Sequence, residues 1–297
     1  MRLSNWKLEI RIWSFSRGGA QRQMKDILPR VTYHAVYDDS ILDALEFARA
    51  NGFAGIQAAV ELPHLSFERL TGRQCAAIRR FREAHGLSVS LHGPDDVASL
   101  FLSSRRLLSG VFGYYRALFG FAGRVGSGLI TIHAGARPRF RADTSPARLL
   151  PSADAESFRR AFDDNLRRLG DLADGRFILC LENSGWTADL FELIQLQLDG
   201  GRLHLCWDLA KTYRDAATRD AALERFMWRN LSRVRQVHLH DRRGGLSHCV
   251  LGAGTVDFMR FLPRLARANV AEFCIEVRPR EKALESLQNL RGMMQAR

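Results

Sequence analysis

The chain has 297 residues, 46% of them apolar, and a formal charge of +12. That length holds one large domain or two small ones, and the apolar share is ordinary for a globular fold with a full core. No run of about 18 apolar residues is present to cross a membrane, and Met1-Arg-Leu-Ser-Asn-Trp-Lys7 lacks the apolar stretch and small-residue cleavage site of a secretory signal.

In chain order, residues 1–30 form an N-terminal extension. The alternation in Trp6-Lys-Leu-Glu-Ile-Arg-Ile-Trp13 fits an extra strand as well as it fits an extension without fixed structure. Val31-Thr-Tyr-His-Ala-Val36 reads as the first strand. Ser40 then caps a helix whose apolar face is Ile41, Leu45 and Ala48, and Gly52 ends it. Gly55-Ile-Gln-Ala-Ala-Val-Glu61 is the second strand, and a helix over about 67–85 stops near Gly86. The third and fourth strands are Leu87–His92 and Leu129–His133. Residues 134–156 make a long loop bearing Pro and Arg; loops of that length usually carry function or lack structure. Phe158, Phe162, Leu166, Leu169 and Leu172 recur every three or four residues and mark an amphipathic helix before the fifth strand. Phe258, Phe261, Leu262 and Leu265 do the same before the eighth. Leu284, Leu287 and Leu290 close the chain as a helix.

Eight strand-then-helix units imply a parallel sheet, and eight strands can close. The predicted fold is therefore α/β, a single-domain (β/α)8 TIM barrel over 31–297 with the N-terminal extension outside it. Six of its strands end on a potential metal ligand. Leu87-Ser-Val-Ser-Leu-His92, Leu129-Ile-Thr-Ile-His133, Phe177-Ile-Leu-Cys-Leu-Glu182, Leu203-His-Leu-Cys-Trp-Asp208, Val234-Arg-Gln-Val-His238 and Phe273-Cys-Ile-Glu276 all finish this way. Parallel strands bring these ends to one mouth, where active sites of this fold are built. Three imidazoles and three carboxylates gathered there repel one another or stay unsatisfied without a cation. The reading is a divalent-metal site of Glu182, Asp208, His238 and Glu276, with His92 and His133 able to hold a second ion bridged by Glu182. Mixed nitrogen and oxygen ligands suit Zn²⁺, Mn²⁺ or Co²⁺, and Mg²⁺ less well.

The chain resembles the xylose isomerase-like TIM-barrel superfamily, which includes sugar isomerases, epimerases and endonuclease IV. The motifs that carry the resemblance are Ser90-Leu-His-Gly-Pro94, Ile132-His-Ala-Gly135, Leu181-Glu-Asn-Ser184, Trp207-Asp-Leu-Ala-Lys211, Val237-His-Leu-His-Asp241, His248-Cys-Val-Leu-Gly-Ala-Gly254 and Ile275-Glu-Val-Arg-Pro279, and it extends from about residue 30 to the end. The resemblance implies that Glu182, Asp208, His238 and Glu276 are the metal quartet, and that Glu182 and Glu276 are the catalytic acid/base pair. They would move a proton alpha to a carbonyl through a metal-stabilised enediolate. The implied activity is isomerisation or epimerisation of a sugar, sugar phosphate or related keto-polyol.

The endonuclease branch holds three zinc ions, and this chain departs from it at two positions. Lys211 stands where that branch has His, and Leu246 where it has Asp. Both losses strike the third ion and leave His248 as its only ligand, which counts against DNA repair. A metal-binding scaffold without catalysis is the third alternative. A lyase or dehydratase is also compatible, because one fold and site can host several product classes.

Further residues are assigned to substrate. Lys211 donates to a substrate oxygen or phosphate, or else pairs with Asp208 or Asp241. His240 either takes the place of His238 or lines the pocket with it, and His248 joins them. Arg278 grips a phosphate or carboxylate, and Trp186 forms an apolar wall. Glu61 is expected to pair with an arginine rather than line the pocket. His34 is expected in the pocket or core. Arg137, Arg139 and Arg141 are expected to be solvated.

The positive charge rests on arginine, with lysine only at 7, 25, 211 and 282. Pairs such as Arg79-Arg80, Arg159-Arg160 and Arg167-Arg168 fit solvent-facing helix sides, and no basic run interleaved with aromatics marks a nucleic-acid groove. Of five cysteines, Cys180, Cys206 and Cys274 fall in core strands, and none forms a C-x-x-C pair, which predicts a reducing, cytoplasmic setting. The expected partner is a carbohydrate-like small molecule, with nucleic acid the less favoured alternative, no membrane, and homo-oligomerisation open.

Overall fold

The computed structural model describes residues 25–137, 152–214 and 218–295. The proposed strand at Trp6–Trp13 and the arginines Arg139 and Arg141 lie outside them. A 3-10 turn, Lys25–Arg30, leads into the barrel and buries Ile27.

The barrel strands are β1 (Val31–Ala35), β2 (Gly55–Ala59), β3 (Ser88–His92), β4 (Leu129–Ile132), β5 (Ile178–Glu182), β6 (His204–Asp208), β7 (Val234–Leu239) and, last in the chain, β10 (Glu272–Ile275). All eight run parallel and close on themselves in the order β1-β10-β7-β6-β5-β4-β3-β2. Between them run α1 (Ile41–Asn51), α2 (Gly72–His85), α3 (Arg105–Val125), α4 (Ser152–Ala173), α5 (Phe191–Asp199), α6 (Ala221–Arg229) and α7 (Phe258–Leu265), and α8 (Arg280–Gln295) follows β10. The expected (β/α)8 barrel is the fold. Among the described helices none is long and apolar enough to cross a membrane.

Local signals act where they are read. The Ser40 hydroxyl accepts from the Asp43 amide, and Gly52 ends α1 at φ 74°, a left-handed turn that glycine takes without steric cost. Two boundaries and one added element differ from expectation. The helix expected from 67 begins at Gly72, because Thr71 and Gln74 form a capping box there. The loop expected to reach 156 gives way to α4 at Ser152. A short antiparallel hairpin, β8 (Asp241–Arg243) and β9 (Leu246–Cys249), stands between β7 and α7.

The large apolar side chains pack between the strands and the helices. Trp207 on β6 is fully buried, 4.6 Å from the Trp228 ring and 5.5 Å from the Phe261 ring, and its indole donates to Thr212 Oγ1 at 2.8 Å. The barrel interior is polar instead. Gln57 on β2 donates to Thr131 on β4 (2.8 Å), Thr131 donates to Gln236 on β7, Gln236 donates to Glu272 on β10 (2.7 Å), and Ser90 on β3 donates to the same Glu272 oxygen (2.7 Å). Most of these bonds join strands that are not neighbours, so they cross the axis. Burial raises the Glu272 carboxyl above its ordinary range.

Trp207→Ala empties the largest side chain at the β6–helix contact and removes the indole donor to Thr212. It is expected to cost about 3–5 kcal/mol, read as a lower urea midpoint at unchanged slope.

Candidate metal centre

The alternation of β-structure sends every second side chain inward, and the parallel direction places the last inward residue of each strand at the same mouth. His92 ends β3, Glu182 ends β5 and Asp208 ends β6. His238 lies one residue from the end of β7, while His133 and Glu276 directly follow β4 and β10. All six are buried. Among the described residues, five groupings offer ligand atoms within 4.8 Å of one another, and three of them are His92, His133 and Glu182; Asp208, His238 and Glu276; and His240, His248 and Glu276. The sequence-predicted ligands are thus brought together.

Glu182 belongs to the first grouping and reaches the second through His238. Its Oε2 lies 3.0 Å from His133 Nε2, 3.6 Å from His92 Nε2 and 3.2 Å from His238 Nδ1. Glu276 Oε1 approaches the same His238 Nδ1 at 3.3 Å and His34 Nδ1 at 3.4 Å. These approaches do not satisfy the groups. Both ring nitrogens of His238 and Oε2 of Glu276 are buried without a hydrogen-bond partner. Buried polar atoms normally find partners. Unpartnered imidazole and carboxylate atoms converging from separate strands fit the donor set of a divalent ion.

Burial alone would raise the Glu182 carboxyl, but Lys211, His133 and His238 outweigh it and hold Glu182 well below the usual carboxylate range. Burial likewise opposes ionisation of Glu276, and the His238 imidazole beside it reverses the direction. The Cys206 thiol, two residues before Asp208, is pushed up to about 12 by burial. It groups with Glu182 and His238.

Lys211 follows β6 and turns back onto the site. Its ammonium bonds Glu182 Oε1 and lies 3.3 Å from Asp208 Oδ2, so the ion pair with Asp208 forms and the alternative with Asp241 does not. Asp208 is held from several sides. Its Oδ1 accepts from the amides of Ala210 (2.9 Å) and Lys211 (3.1 Å), its Oδ2 faces His240 Nε2 at 3.1 Å, and its own amide donates to Asn183 Oδ1 at 2.7 Å. His240 is fully buried, and its ring stacks on that of His248 at 4.2 Å. It therefore holds Asp208 in place and is not among the residues lining the cavity described next.

A cavity of about 220 Å³ opens over the site, lined by His34, Glu61, His92, Asp95, His133, Lys211, His248, Glu276 and Arg278 among others. Arg278 donates to His34 Nδ1 at 3.2 Å. Glu61 lines this space with a buried oxygen lacking a partner, where an arginine pair was expected; it sits beyond the end of β2, over the mouth. Trp186 is not among the lining residues and packs against Phe226 on α6 at 6.0 Å. Arg137 is not a solvated loop residue: it donates to Asp189 Oδ2 at 2.9 Å and lies over the Phe101 ring.

Asp95, Asn183 and Asp241 carry parts of the site that the strand-end pattern does not mark. Asp95 lies 3.2 Å from His133 Nδ1. Asp241 accepts the amides of Arg242, Gly252, Gly254 and Val256 at 2.8–3.0 Å, and so ties the β8–β9 hairpin, which carries His248, to the loop before α7. A Cβ on Gly254 would meet Arg242 O at 2.0 Å, so only glycine lets that loop close. The signal for Asp241 was its place directly after the paired histidines, ahead of the glycines at 252 and 254.

A model of the xylose isomerase-like TIM-barrel family matches residues 45–293. A search of curated proteins returned no match. Among solved structures, a D-tagatose 3-epimerase-like protein is 16% identical at a TM-score of 0.70, over 90% of this chain and 97% of its own. Endonuclease IV from Thermus thermophilus is 22% identical at 0.65, over 90% and 99%. An IOLI protein with a bound zinc atom is 11% identical at 0.64, over 89% and 97%. At these identities the likeness is one of fold.

Asp241→Ala removes the acceptor of four amides and is expected to cost about 2–3 kcal/mol. Hydrogen exchange should then quicken at Gly252, Gly254 and Val256 before the barrel strands respond; unchanged protection there would remove Asp241 as the anchor of the hairpin.

Proposed function

The chain belongs to the xylose isomerase-like TIM-barrel family, and we propose that it is a divalent-metal-dependent isomerase or epimerase of a sugar, sugar phosphate or related keto-polyol. The observation that carries this is the pair Glu182 and Glu276. Two buried carboxylates from different strands face one imidazole nitrogen of His238, at 3.2 and 3.3 Å, under a small open cavity. Proton removal and return at neighbouring carbons needs such a pair.

Glu182, Asp208, His238 and Glu276 would hold the ion, with His92 and His133 beside Glu182. A bound divalent ion supplies Lewis-acid stabilisation of negative charge on substrate oxygens. The rest falls to the chain's own groups. Glu276 lines the cavity and its Oε2 is free of partners, so it is the carboxylate placed to take a proton alpha to a carbonyl. Glu182, its second oxygen among the imidazoles, is the partner that returns one. Lys211, His248 and Arg278 line the same space and donate to substrate oxygens, Arg278 being suited to a phosphate or carboxylate. His240 acts through Asp208, which it orients.

Phosphodiester cleavage of the endonuclease IV kind finds less support. Lys211 places a cation, and Leu246 an exposed apolar group, where that chemistry would need ligands for a third ion. A cavity of about 220 Å³ also suits a monosaccharide better than a polymer.

Two outcomes are expected. Stripped protein titrated with Mn²⁺, Co²⁺, Zn²⁺ or Mg²⁺ should melt higher, by the equivalent of about 2.7 kcal/mol at a hundredfold excess over Kd; no shift with any of them contradicts the metal. Glu276→Gln and Glu182→Gln should each slow solvent-deuterium incorporation into a turned-over keto-sugar by roughly 10²–10⁴, followed by NMR in D₂O. Exchange at the wild-type rate would remove the proposed base.

A further inference from the structure

The ligand geometry alone admits two ions, because His92, His133 and Glu182 form one donor grouping and Asp208, His238 and Glu276 another. Charge separates the possibilities. We infer that the Lys211 ammonium is the built-in second cation of this site and limits it to a single divalent ion, an inference that rests on the metal-dependent reading above.

Three carboxylates lie at the centre: Glu182 and Asp208 fully buried and Glu276 nearly so. Imidazoles contribute no charge when they act as ligands. One divalent ion together with Lys211 therefore balances the three carboxylates, and a second ion leaves two uncompensated positive charges in a buried space. Such an excess is strongly disfavoured in a low-dielectric interior. The outer rim does not alter this balance. Glu61 and Arg278 offset each other across the cavity, and the Asp95 side chain is 61% exposed, so water screens it.

Contact points the same way. The ammonium bonds Oε1 of Glu182, the carboxylate whose other oxygen faces both His133 and His238, and lies 3.3 Å from Asp208 Oδ2. Glu182 is left with Oε2 alone for metal. The lysine thus occupies the coordination capacity that a bridged pair of ions would use, and it does so from the end of β6, beside Asp208, with its side chain held on both carboxylates. Lys211 is on this account a positioning residue that sets metal number, apart from any bond it donates to substrate.

The test is ion stoichiometry of the full chain, loaded with excess Mn²⁺ or Zn²⁺, desalted and read by native mass spectrometry with elemental analysis. Wild type should carry one ion per chain. Lys211→Met should carry two, with affinity for the second raised roughly a hundredfold, the scale for removing a full charge a few ångströms from a cation. Lys211→Arg keeps the charge and should stay at one. Adding His133→Gln to Lys211→Met should return the count to one, which places the gained ion at the imidazole pair. Lys211→Gln serves in place of the methionine variant should that one misfold by circular dichroism. Two ions in wild type, or one in both wild type and Lys211→Met, overturns the inference and leaves metal dependence standing. No ion in any of them overturns both.

Discussion

Three carboxylates share one mouth of the barrel, buried almost entirely from bulk water. Glu182 and Asp208 are fully buried and Glu276 nearly so, so their mutual repulsion is not screened as it would be at a surface. The groups around them are arranged to offset this: Lys211 on Glu182 and Asp208, His238 between Glu182 and Glu276, His240 beneath Asp208. A cluster built only for stability would use apolar residues of similar volume, because buried ion networks are seldom favourable against a packed core. The barrel retains the charges and leaves ligand atoms of His238 and Glu276 unpartnered. That combination of retained charge and unused donors is what makes the cluster a candidate metal centre.

The rigidity needed to hold such a cluster comes from beneath it. Thr131, Gln236, Glu272, Gln57 and Ser90 form a hydrogen-bonded layer across the barrel axis, below the candidate site. Glu272 precedes Glu276 by two inward positions and Gln236 precedes His238 by one, so the layer fixes the strands that present the ligands. What distinguishes one chemistry from another lies above the strands. Lys211 follows β6, His248 rides on the hairpin tied down by Asp241, and Arg278 follows β10. Strand ends supply the donor groups of the candidate centre, and these later residues shape the space over it.

Much of this was legible from the residues because two periodicities coincide. Inward alternation at period two and the common direction of parallel strands put His92, Glu182, Asp208 and His238 at equivalent places, where a closed barrel gathers them. The residues that sequence reasoning misplaced are those whose position depends on loop geometry. Glu61 lies past the end of β2, where alternation no longer tells which way a side chain points. Trp186 follows Glu182 by four residues across a turn at Gly185 (φ 66°), and the turn carries it outward onto Phe226. His240 continues the inward alternation of β7, but past the strand end it drops behind Asp208. The β8–β9 hairpin has strands of three and four residues, too short for a period, and Arg242-Arg243-Gly244-Gly245 reads as loop.

Many of the arginines that make the chain basic are engaged away from the site. Arginines of the helical shell are paired with acids: Arg79 with Glu83, Arg167 with Asp164, Arg202 with Asp171, Arg214 with Asp220, and Arg219 and Arg260 with Glu224. Others lie over aromatic rings, as Arg168 does on Phe112 and Arg264 on Trp228. At the mouth itself, the lining holds Lys211 and Arg278, opposed by Glu61, Asp95 and Glu276. A groove that tracks a polyanion needs cations spaced along a path with aromatic faces between them. Here the cations converge on one small volume, each already bonded to a group of the site. The excess of arginine bears on the shell rather than on the mouth of the barrel.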